Sequence, residues 1–321
     1  MRAHDRVRID AVTLGEVTAR ITEQLQRAAA AAARDAARDA ARVEARREAR
    51  ELVAAVFAQP RFWPSLAADR SLTDEELGAL AEATRRRLAG APLAYAARSA
   101  AFRHLNLFVD ERVLIPRPET ERLVDLVLAR SPGRSGAVAV DVGTGSGAIA
   151  LALATEGPFR RVVATDVSTD ALEVARRNAT RVGIPPQVTV EFRTGDALAP
   201  VRDLTGQIDV LVANPPYIAF SEAPELPALV RDWEPPEALT CPDDGLSVTR
   251  SIVTGAGPLM RGGGLMALEV DARRASRVAA LVTATTGWEE VHVARDLTGR
   301  ERFVLAVWRG PERENPPPSR H

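Results

Sequence analysis

Strand-like and helix-like segments alternate along the second half of the chain, and this alternation restricts the possible folds more than any other feature. Strands connected through helices form a parallel sheet with helices on both faces. Only the last two strands are joined by a short connection, Arg295–Arg302, which predicts an antiparallel hairpin at one edge of the sheet. The pattern therefore predicts an α/β fold with seven strands, at Ala137–Val142, Arg161–Thr165, Gln187–Phe192, Ile208–Ala213, Leu265–Val270, Val291–Ala294 and Phe303–Trp308.

The region before this alternation has helical spacing of its apolar residues from about residue 9 to residue 90. Thr73 and Glu76 have the spacing of a capping box, in which each side chain bonds the other residue's backbone N–H at a helix start. Residues 27–51 are rich in Ala and Arg, and we interpret them as a solvated helix or an insertion.

Four parts of the chain follow from these patterns. We expect a helical N-terminal domain at residues 1–98, a β-hairpin linker at 99–118 and an α/β domain at 119–310. The hairpin is expected to turn at Asp110-Glu111. The Pro-rich tail, residues 311–321, is expected to be disordered.

The composition excludes several classes of protein. The single cysteine, Cys241, rules out a disulfide framework and a cysteine-rich metal site, and no metal is predicted. The 42 basic and 43 acidic residues lack the basic excess of a general nucleic-acid binder. The polar N-terminus is unlike a signal peptide, and no segment has the roughly 20 apolar residues of a membrane span. We expect a monomeric cytoplasmic protein that needs neither nucleic acid nor membrane.

A glycine-rich loop follows the first strand of the α/β domain and opens a helix. Glycines let the backbone turn tightly near a ligand, and the free N–H groups of the helix start face it. About twenty residues on, Asp166 ends the next strand, where its carboxylate can accept hydrogen bonds from ribose hydroxyls. Because Ala148 completes a dinucleotide pattern, an NAD-dependent oxidoreductase remains an alternative. The candidate loop residues are Gly143, Thr144, Gly145, Ser146 and Gly147.

A third loop, after the next strand, contains Asp196 and Ala197. In a nucleotide-binding α/β fold this loop lies beside the loop of the preceding strand, where Asp196 can accept a hydrogen bond from an adenine amino group. A helix N-cap is the alternative role for Asp196.

The tetrapeptide Asn214-Pro215-Pro216-Tyr217 follows the fourth strand. Its prolines fix φ and remove two backbone donors, which leaves the Asn214 side-chain oxygen and the Pro215 carbonyl as rigid acceptors beside the aromatic face of Tyr217. Two rigid acceptors can hold a planar NH₂ group and direct its lone pair toward a methyl donor. The alternative is a Pro-Pro pair that only ends a strand.

Together these motifs resemble the class I methyltransferases that act on amide or exocyclic amino nitrogens. Further segments are similar to the HemK/PrmC family of release factor glutamine methyltransferases, namely residues 113–121 (Val-Leu-Ile-Pro-Arg-Pro-Glu-Thr-Glu), 234–239, 244–246, 268–270 and 296–302. The resemblance covers residues 72 to 308 approximately. It implies a Rossmann-like, seven-stranded methyltransferase domain with a small helical domain that docks the protein substrate.

The family methylates the side-chain amide nitrogen (N5) of the Gln in the Gly-Gly-Gln motif of peptide chain release factors. The resemblance therefore implies S-adenosylmethionine as cofactor, held by residues 143–147, Asp166, Asp196, Ala197 and Asn214, with Asn214 to Tyr217 binding the glutamine. A sister family that methylates a ribosomal protein, amino-nitrogen methyltransferases of nucleic acids and an inactive nucleotide-binding module stay open as alternatives. Arg117 and Glu121 are expected to form an ion pair at the mouth of the cleft or in solvent.

Overall fold

The computed structural model describes residues 12–32, 38–131 and 136–310. These described residues divide into two compact units, the first ending at Ala100 and the second beginning at Ala101. The terminal segments 1–11 and 311–321, including the tail predicted to be disordered, lie outside the described residues. Among the described helices, none is both long enough and apolar enough to cross a membrane.

The first unit is helical in its described residues. The capping box is confirmed, since Glu76 N donates to Thr73 Oγ1 (3.2 Å) and Thr73 N donates to Glu76 Oε2 (2.9 Å). The described residues of the Ala/Arg-rich segment 27–51 are also helical, while 33–37 lie outside the description. The helices are α1 Leu14–Ala32, α2 Arg38–Val56, α3 Trp63–Leu66, α4 Asp74–Leu88 and α5 Leu93–Ala97.

A short hairpin, β1 (Ala100–Phe102) and β2 (Leu105–Leu107), leads into the second unit. Its turn lies at Arg103 and His104, so the prediction of a hairpin turning at Asp110-Glu111 was wrong. A turn is present at Asp110-Glu111, where Val113 N donates to the Asp110 carbonyl (3.1 Å), but it does not join the two paired strands. Arg103 adopts a left-handed φ of 55°. Tertiary contacts stabilise it, because its guanidinium bonds Asp125 and Glu156.

The second unit contains the predicted alternation of strands and helices. Its first part runs through α6 Pro118–Arg130, β3 Ala137–Val142, α7 Ala148–Glu156, β4 Phe159–Asp166, α8 Thr169–Ala179, β5 Thr189–Thr194 and β6 Ile208–Ala213. A segment with only short elements follows, with β7 Ile218–Ala219, α9 Ala228–Arg231, α10 Pro236–Leu239 and β8 Thr240–Cys241. The last part consists of α11 Ser247–Gly255, β9 Met260–Glu269, α12 Ala275–Ala284, β10 Trp288–Arg295 and β11 Glu301–Trp308.

Seven strands form one sheet in the order β10-β11-β9-β6-β3-β4-β5. All neighbouring pairs are parallel except β10 with β11 and β11 with β9. The seven-stranded α/β prediction and the antiparallel hairpin at the edge are therefore confirmed. The order reverses between β3 and β6, so the loops after β3 and β6 diverge and open a crevice at the carboxyl edge of the sheet.

Two hydrophobic clusters cover the opposite faces of this sheet. Successive residues of β6 alternate between them, because side chains along a strand point to opposite faces. Val210 and Val212 belong to one cluster with α6 and α7, whereas Leu211 and Ala213 belong to the other with α11 and α12. This packing makes the sheet a rigid platform whose carboxyl edge carries the predicted loops.

Candidate active site

The glycine loop joins β3 to α7 and bends through left-handed backbone conformations. The φ angles are 74° at Gly143, 54° at Gly145 and 84° at Gly147, a region in which residues other than glycine are strained. The carbonyl of Thr165, at the end of β4, accepts from Gly143 N (2.9 Å) and Thr144 N (2.8 Å). The loop is therefore fixed to the neighbouring strand.

Asp141 supports the loop from below. Its Oδ2 accepts from the hydroxyl of Thr144 (2.6 Å) and from Ala150 N (3.1 Å), while its Oδ1 has no hydrogen-bond partner among the described residues. Asp141 is fully buried, and this burial raises the pKa of its carboxyl to about 7.

Asn178, in α8, is a supporting residue that the motifs did not identify. Its Nδ2 donates to the carbonyls of Ser146 (2.8 Å) and Phe108 (2.9 Å), and its Oδ1 accepts from Phe108 N (2.7 Å). Asn178 is fully buried beside apolar positions of the helix such as Ala175. A polar side chain on the buried face of a predicted helix needs a hydrogen-bond partner, so the position of Asn178 in the sequence could have indicated its supporting role.

Asp166 lies at the end of β4 and faces the glycine loop. Its Oδ2 accepts from Gly145 N (2.8 Å) and its Oδ1 accepts from Ser168 N (3.0 Å). Burial raises the pKa of Asp166, while the hydrogen bonds from Ser168 and Gly145 act in the opposite direction. The carboxylate thus shapes the loop and also reaches the cleft beside it.

A first cleft opens at this edge of the sheet. Asp196 is exposed at its rim, and Leu198 rather than Asp196 precedes the 3₁₀ helix Ala199–Leu204 as its N-cap. Thr144, Ser146 and Gly147 do not line the cleft; they lie behind it. The predicted residues that do line it are Gly143, Gly145, Asp166, Asp196, Ala197, Asn214, Pro215 and Pro216.

A second cleft lies on the other side of Asn214. Arg117 and Tyr217 contribute its polar groups, and the rest of its lining is mainly aliphatic. Asn214, Leu114 and Ala238 line both clefts. The two clefts therefore meet at Asn214, whose side chain is partly buried there rather than directed into solvent.

The amide of Asn214 is held from behind. Its Nδ2 donates to Thr120 Oγ1 (3.3 Å), and the Thr120 hydroxyl donates to Glu269 Oε2 (2.8 Å). No described residue donates a hydrogen bond to the Asn214 Oδ1. Thr120 is in α6 and Glu269 ends β9, so three separate elements converge on this amide.

Tyr217 and Glu269 share a buried environment with Arg302. Burial raises the pKa of Glu269 to about 7 and also raises the pKa of the Tyr217 phenol. The Arg302 guanidinium opposes both shifts because it favours the anionic forms. The positive charge of Arg302 therefore partly offsets the cost of burying a negative charge on Glu269 or Tyr217.

Arg117 forms an ion pair with Glu234, not with Glu121. Its Nη2 lies 2.6 Å and 2.8 Å from the two carboxylate oxygens of Glu234, which is only 3% exposed. Glu121 instead accepts from Arg103 N (3.0 Å). The predicted pair of Arg117 with Glu121 was therefore wrong, since a partner 117 residues away could not be found from local spacing.

Residues 218–245, which we call the cover segment, line parts of both clefts. The thiol of Cys241 donates to the Pro216 carbonyl (3.2 Å), and β7 pairs with β8. The buried Arg274 donates to Glu222 Oε2 (2.5 Å) and to the Asp244 carbonyl (3.0 Å). The segment is thus attached to the Asn-Pro-Pro-Tyr loop and to the start of α12.

Comparison with known proteins agrees with this geometry. Residues 120–226 match the family model described as "Methyltransferase small domain", and residues 19–96 match "PrmC N-terminal domain". The catalytic domain of hMettl16, solved in complex with MAT2A 3'UTR hairpin 6, superposes with a TM-score of 0.51 at 16% identity, covering 76% of this chain and 85% of that chain. The fold and the site define a Rossmann-like class I methyltransferase.

The sequence relatives are more specific. The chain is 41% identical to the release factor glutamine methyltransferase of Moorella thermoacetica, over 80% of this chain and 88% of the relative. It is 39% identical to that of Mycolicibacterium smegmatis, over 80% of this chain and 93% of the relative. The chain belongs to the HemK/PrmC family of release factor glutamine methyltransferases.

The cofactor of this class is S-adenosylmethionine, and the first cleft fits it. The positive-φ glycines Gly143 and Gly145 have no atoms within 4 Å of the position of an added Cβ, so the backbone is accessible to a ligand. Acidic groups at Asp166 and Asp196 and apolar surface at Val142 and Val167 suit a molecule with a ribose, an adenine and charged ends.

Proposed function

We propose that this chain transfers a methyl group from S-adenosylmethionine to the side-chain amide nitrogen (N5) of the Gln in the Gly-Gly-Gln motif of peptide chain release factors. The names of its relatives support this substrate. The proposed place of action is the cytoplasm, where release factors meet the ribosome. The dinucleotide pattern of the glycine loop is compatible with both NAD and S-adenosylmethionine. The family membership favours S-adenosylmethionine and therefore disfavours an NAD-dependent oxidoreductase.

The observation that carries the proposal is the meeting of the two clefts at Asn214. A methyl donor in the first cleft and a glutamine side chain in the second would face each other across this residue. The proposed role of Asn214 Oδ1 and the Pro215 carbonyl is to accept the two N–H bonds of the glutamine amide. Both acceptors lie in a rigid loop, so they need little reorganisation during the reaction.

The chemistry asked of the protein is mainly orientation. The cofactor supplies a methyl group on a sulfonium, and its departure leaves a neutral thioether. The amide nitrogen is a weak nucleophile because its lone pair is delocalised into the carbonyl. Two in-plane acceptors hold the NH₂ group so that its lone pair points out of the amide plane, and the methylated nitrogen then loses one proton to solvent. The proposed role of Tyr217 and the aliphatic lining is to pack against the glutamine and exclude water.

The helical unit that contains residues 19–96 is the proposed docking domain for the protein substrate, and residues 1–98 and 99–118 are the proposed domain and linker. This role is separate from methyl transfer, because the residues that line the two clefts all lie in the second unit.

Asn214→Ala tests the proposed function. We expect turnover to fall by about 10²–10³-fold, the effect of removing one acceptor or donor from a preorganised site. The measurement is the transfer of labelled methyl from the cofactor to a purified release factor, with a Gly-Gly-Gln to Gly-Gly-Ala release factor as the negative control. Turnover of Asn214→Ala near the wild-type value would refute the acceptor role.

Two further outcomes separate the alternatives. Labelling of the Gly-Gly-Ala factor, or labelling only of a ribosomal protein, would contradict the proposed substrate. Calorimetry with S-adenosylhomocysteine and with NADH compares the two cofactor classes, and tight binding of NADH alone would contradict the cofactor as well.

A further inference from the structure

A chain of two hydrogen bonds runs from Asn214 into the interior of the second unit. Asn214 Nδ2 donates to Thr120 Oγ1 (3.3 Å), and Thr120 Oγ1 donates to Glu269 Oε2 (2.8 Å). Thr120 is 4% exposed and Glu269 is 1% exposed. Neither residue lines either cleft, so neither is available to touch a cofactor or a glutamine directly.

The direction of this chain is determined by its inner end. An ionised carboxylate has no hydrogen to donate, and a hydroxyl has one. When Glu269 is ionised, the Thr120 hydroxyl therefore gives its hydrogen to Glu269 and presents only a lone pair to Asn214. Because the NH₂ and oxygen ends of an amide have nearly the same shape, packing alone does not select between them. The lone pair of Thr120 selects the NH₂ end.

We propose that Thr120 and Glu269 are positioning residues that fix the side-chain amide of Asn214 so that its oxygen faces the substrate amide. The inference rests on the proposed function. A reversed amide would place its NH₂ group against the NH₂ group of the glutamine, donor against donor. Two buried residues thus make Asn214 an acceptor before any substrate arrives.

Charged groups around Glu269 act on this selection. Arg302 and Arg117 favour its ionised form, whereas Glu119 and burial oppose it. The phenol of Tyr217 is a further neighbour. A protonated Glu269 can donate to Thr120, and the Thr120 hydrogen is then free to bond the oxygen end of Asn214. Protonation would therefore allow the reversed amide.

Thr120→Val and Thr120→Ser test the hydroxyl. Valine keeps the shape and removes the hydrogen bonds, and we expect kcat at pH 8 to fall about tenfold, as for one charge-linked hydrogen bond. Serine keeps the hydroxyl and should restore most of the turnover. The matched control is Thr249→Val, which removes another fully buried hydroxyl that has no hydrogen-bond partner in the described structure and should leave turnover unchanged.

Glu269→Gln tests the inner end of the chain. Its amide can donate to Thr120 as well as accept, so it loses the selection, and kcat should fall by a similar factor. The double variant Thr120→Val with Glu269→Gln should be no slower than the slower single variant, because both interrupt one chain. Wild-type kcat should decrease as the pH falls below 7, and the Glu269→Gln variant should lack this step.

Two readouts do not depend on turnover. The affinity for S-adenosylhomocysteine, measured by calorimetry, should change by less than about twofold, since the first cleft is untouched. The side-chain NH₂ resonances of Asn214, assigned in NMR spectra by their absence from Asn214→Ala, should lose their hydrogen-bonded shift in Thr120→Val. Thermal unfolding identifies any variant that has lost its fold. If Thr120→Val is unfolded, the turnover of Thr120→Ser and Glu269→Gln tests the positioning role instead.

The outcomes are distinct. If the wild type transfers no methyl to a release factor, the proposed function fails, and the NMR shift still judges the orientation of Asn214. If the wild type is active while Thr120→Val and Glu269→Gln stay within about twofold of it, the positioning role is overturned and the function stands. Equal losses in Thr249→Val, or no rescue by serine, would also overturn it, because packing would then explain the effect.

Discussion

At the scale of single residues, Asp141 shows how burial couples folding to protonation. Its pKa is raised from 3.8 to about 7 because the carboxyl is fully buried. A carboxyl whose pKa is higher in the folded state binds protons more tightly there, so stability is greatest at low pH. It declines as the pH rises from the unfolded pKa to the folded one.

Asp141→Asn should therefore flatten the pH dependence of stability. The wild type should lose roughly 4 kcal/mol of unfolding free energy at this site between about pH 4 and pH 7. Denaturant unfolding at about pH 4 and pH 8 measures the difference. The control is Asp203→Asn. The Arg193 guanidinium lowers the pKa of this exposed carboxyl, so its contribution is present at neutral pH and is lost only as the pH falls into the acidic range, the opposite sign to Asp141. An unchanged pH dependence in Asp141→Asn would contradict the raised pKa.

The residues of the site differ in how far the sequence could predict them. The glycine loop, Asp166 and Asn214 were recognisable because their chemistry is concentrated in short motifs. Thr120 and Glu269 are 149 residues apart, and no local pattern joins them. Their partnership depends on α6 and β9 meeting behind the Asn-Pro-Pro-Tyr loop, which only the assembled fold shows.

At the scale of elements, the cover segment depends on a close approach at Gly245. Its φ is 78°, and an added Cβ would lie 2.6 Å from the Tyr217 carbonyl oxygen and 3.0 Å from Ala219 N. Only glycine lets the end of the cover segment pack against the backbone that follows the two prolines. These contacts order the cover segment, which therefore contains short elements such as β7 and β8.

Gly245→Ala should lower methyl transfer by more than tenfold, since it displaces the backbone beside Tyr217. Gly206→Ala is the matched control: its φ is 66°, but an added Cβ would have no atom within 4 Å. Both variants should lose about 1 kcal/mol of stability through left-handed backbone strain, and Gly245→Ala should lose more because its Cβ also contacts the Tyr217 carbonyl oxygen. Turnover and thermal unfolding measured on both separate the strain from the close contact. Equal activities would show that the contact with Tyr217 is unimportant.

The hairpin at residues 100–107 shows how a local pattern can identify a turn and still assign it to the wrong strands. Asp110-Glu111 forms a turn, as its composition predicts, with Val113 N donating to the Asp110 carbonyl (3.1 Å), but the strands that pair lie before it, at residues 100–107. The side chain of Asn178 hydrogen-bonds both the N–H and the carbonyl of Phe108. The actual turn at Arg103 contains no glycine and is stabilised by side chains far along the chain. The local composition therefore identifies the turn at Asp110-Glu111, but it does not identify which strands pair, because tertiary contacts stabilise the hairpin turn.

At the scale of the whole molecule, the alternating pattern was sufficient to predict the class of sheet and its antiparallel edge. The strand order follows from connections that sequence periodicity does not report. The sequence says less about the function of the first unit, because its helices contain no motif of catalytic or ligand-binding residues. Its exposed apolar side chains are the best available indication of a docking surface, notably Val43 (72% exposed), Phe62 (61%) and Leu66 (77%).

Phe62→Ser tests the proposed docking role of this unit. Phe62 and Val43 line a surface groove with Arg46, Arg50 and Arg61. We expect KM for an intact release factor to rise about tenfold, as for loss of an aromatic anchor, with kcat unchanged. A short peptide containing Gly-Gly-Gln should show no change in KM. An equal rise in KM for the peptide would show that the substitution impairs the second unit. An unchanged KM for both substrates would show that this surface does not bind the release factor.

The attachment of Cys241 has a practical consequence. It is the only cysteine of the chain, it is 2% exposed, and its thiol bonds the carbonyl of Pro216 from within the cover segment. An alkylating reagent can reach this sulfur only while the segment is detached. The alkylation rate of Cys241 therefore reports how often the cover segment detaches, without any change to the sequence. A ligand that holds the segment in place should lower this rate.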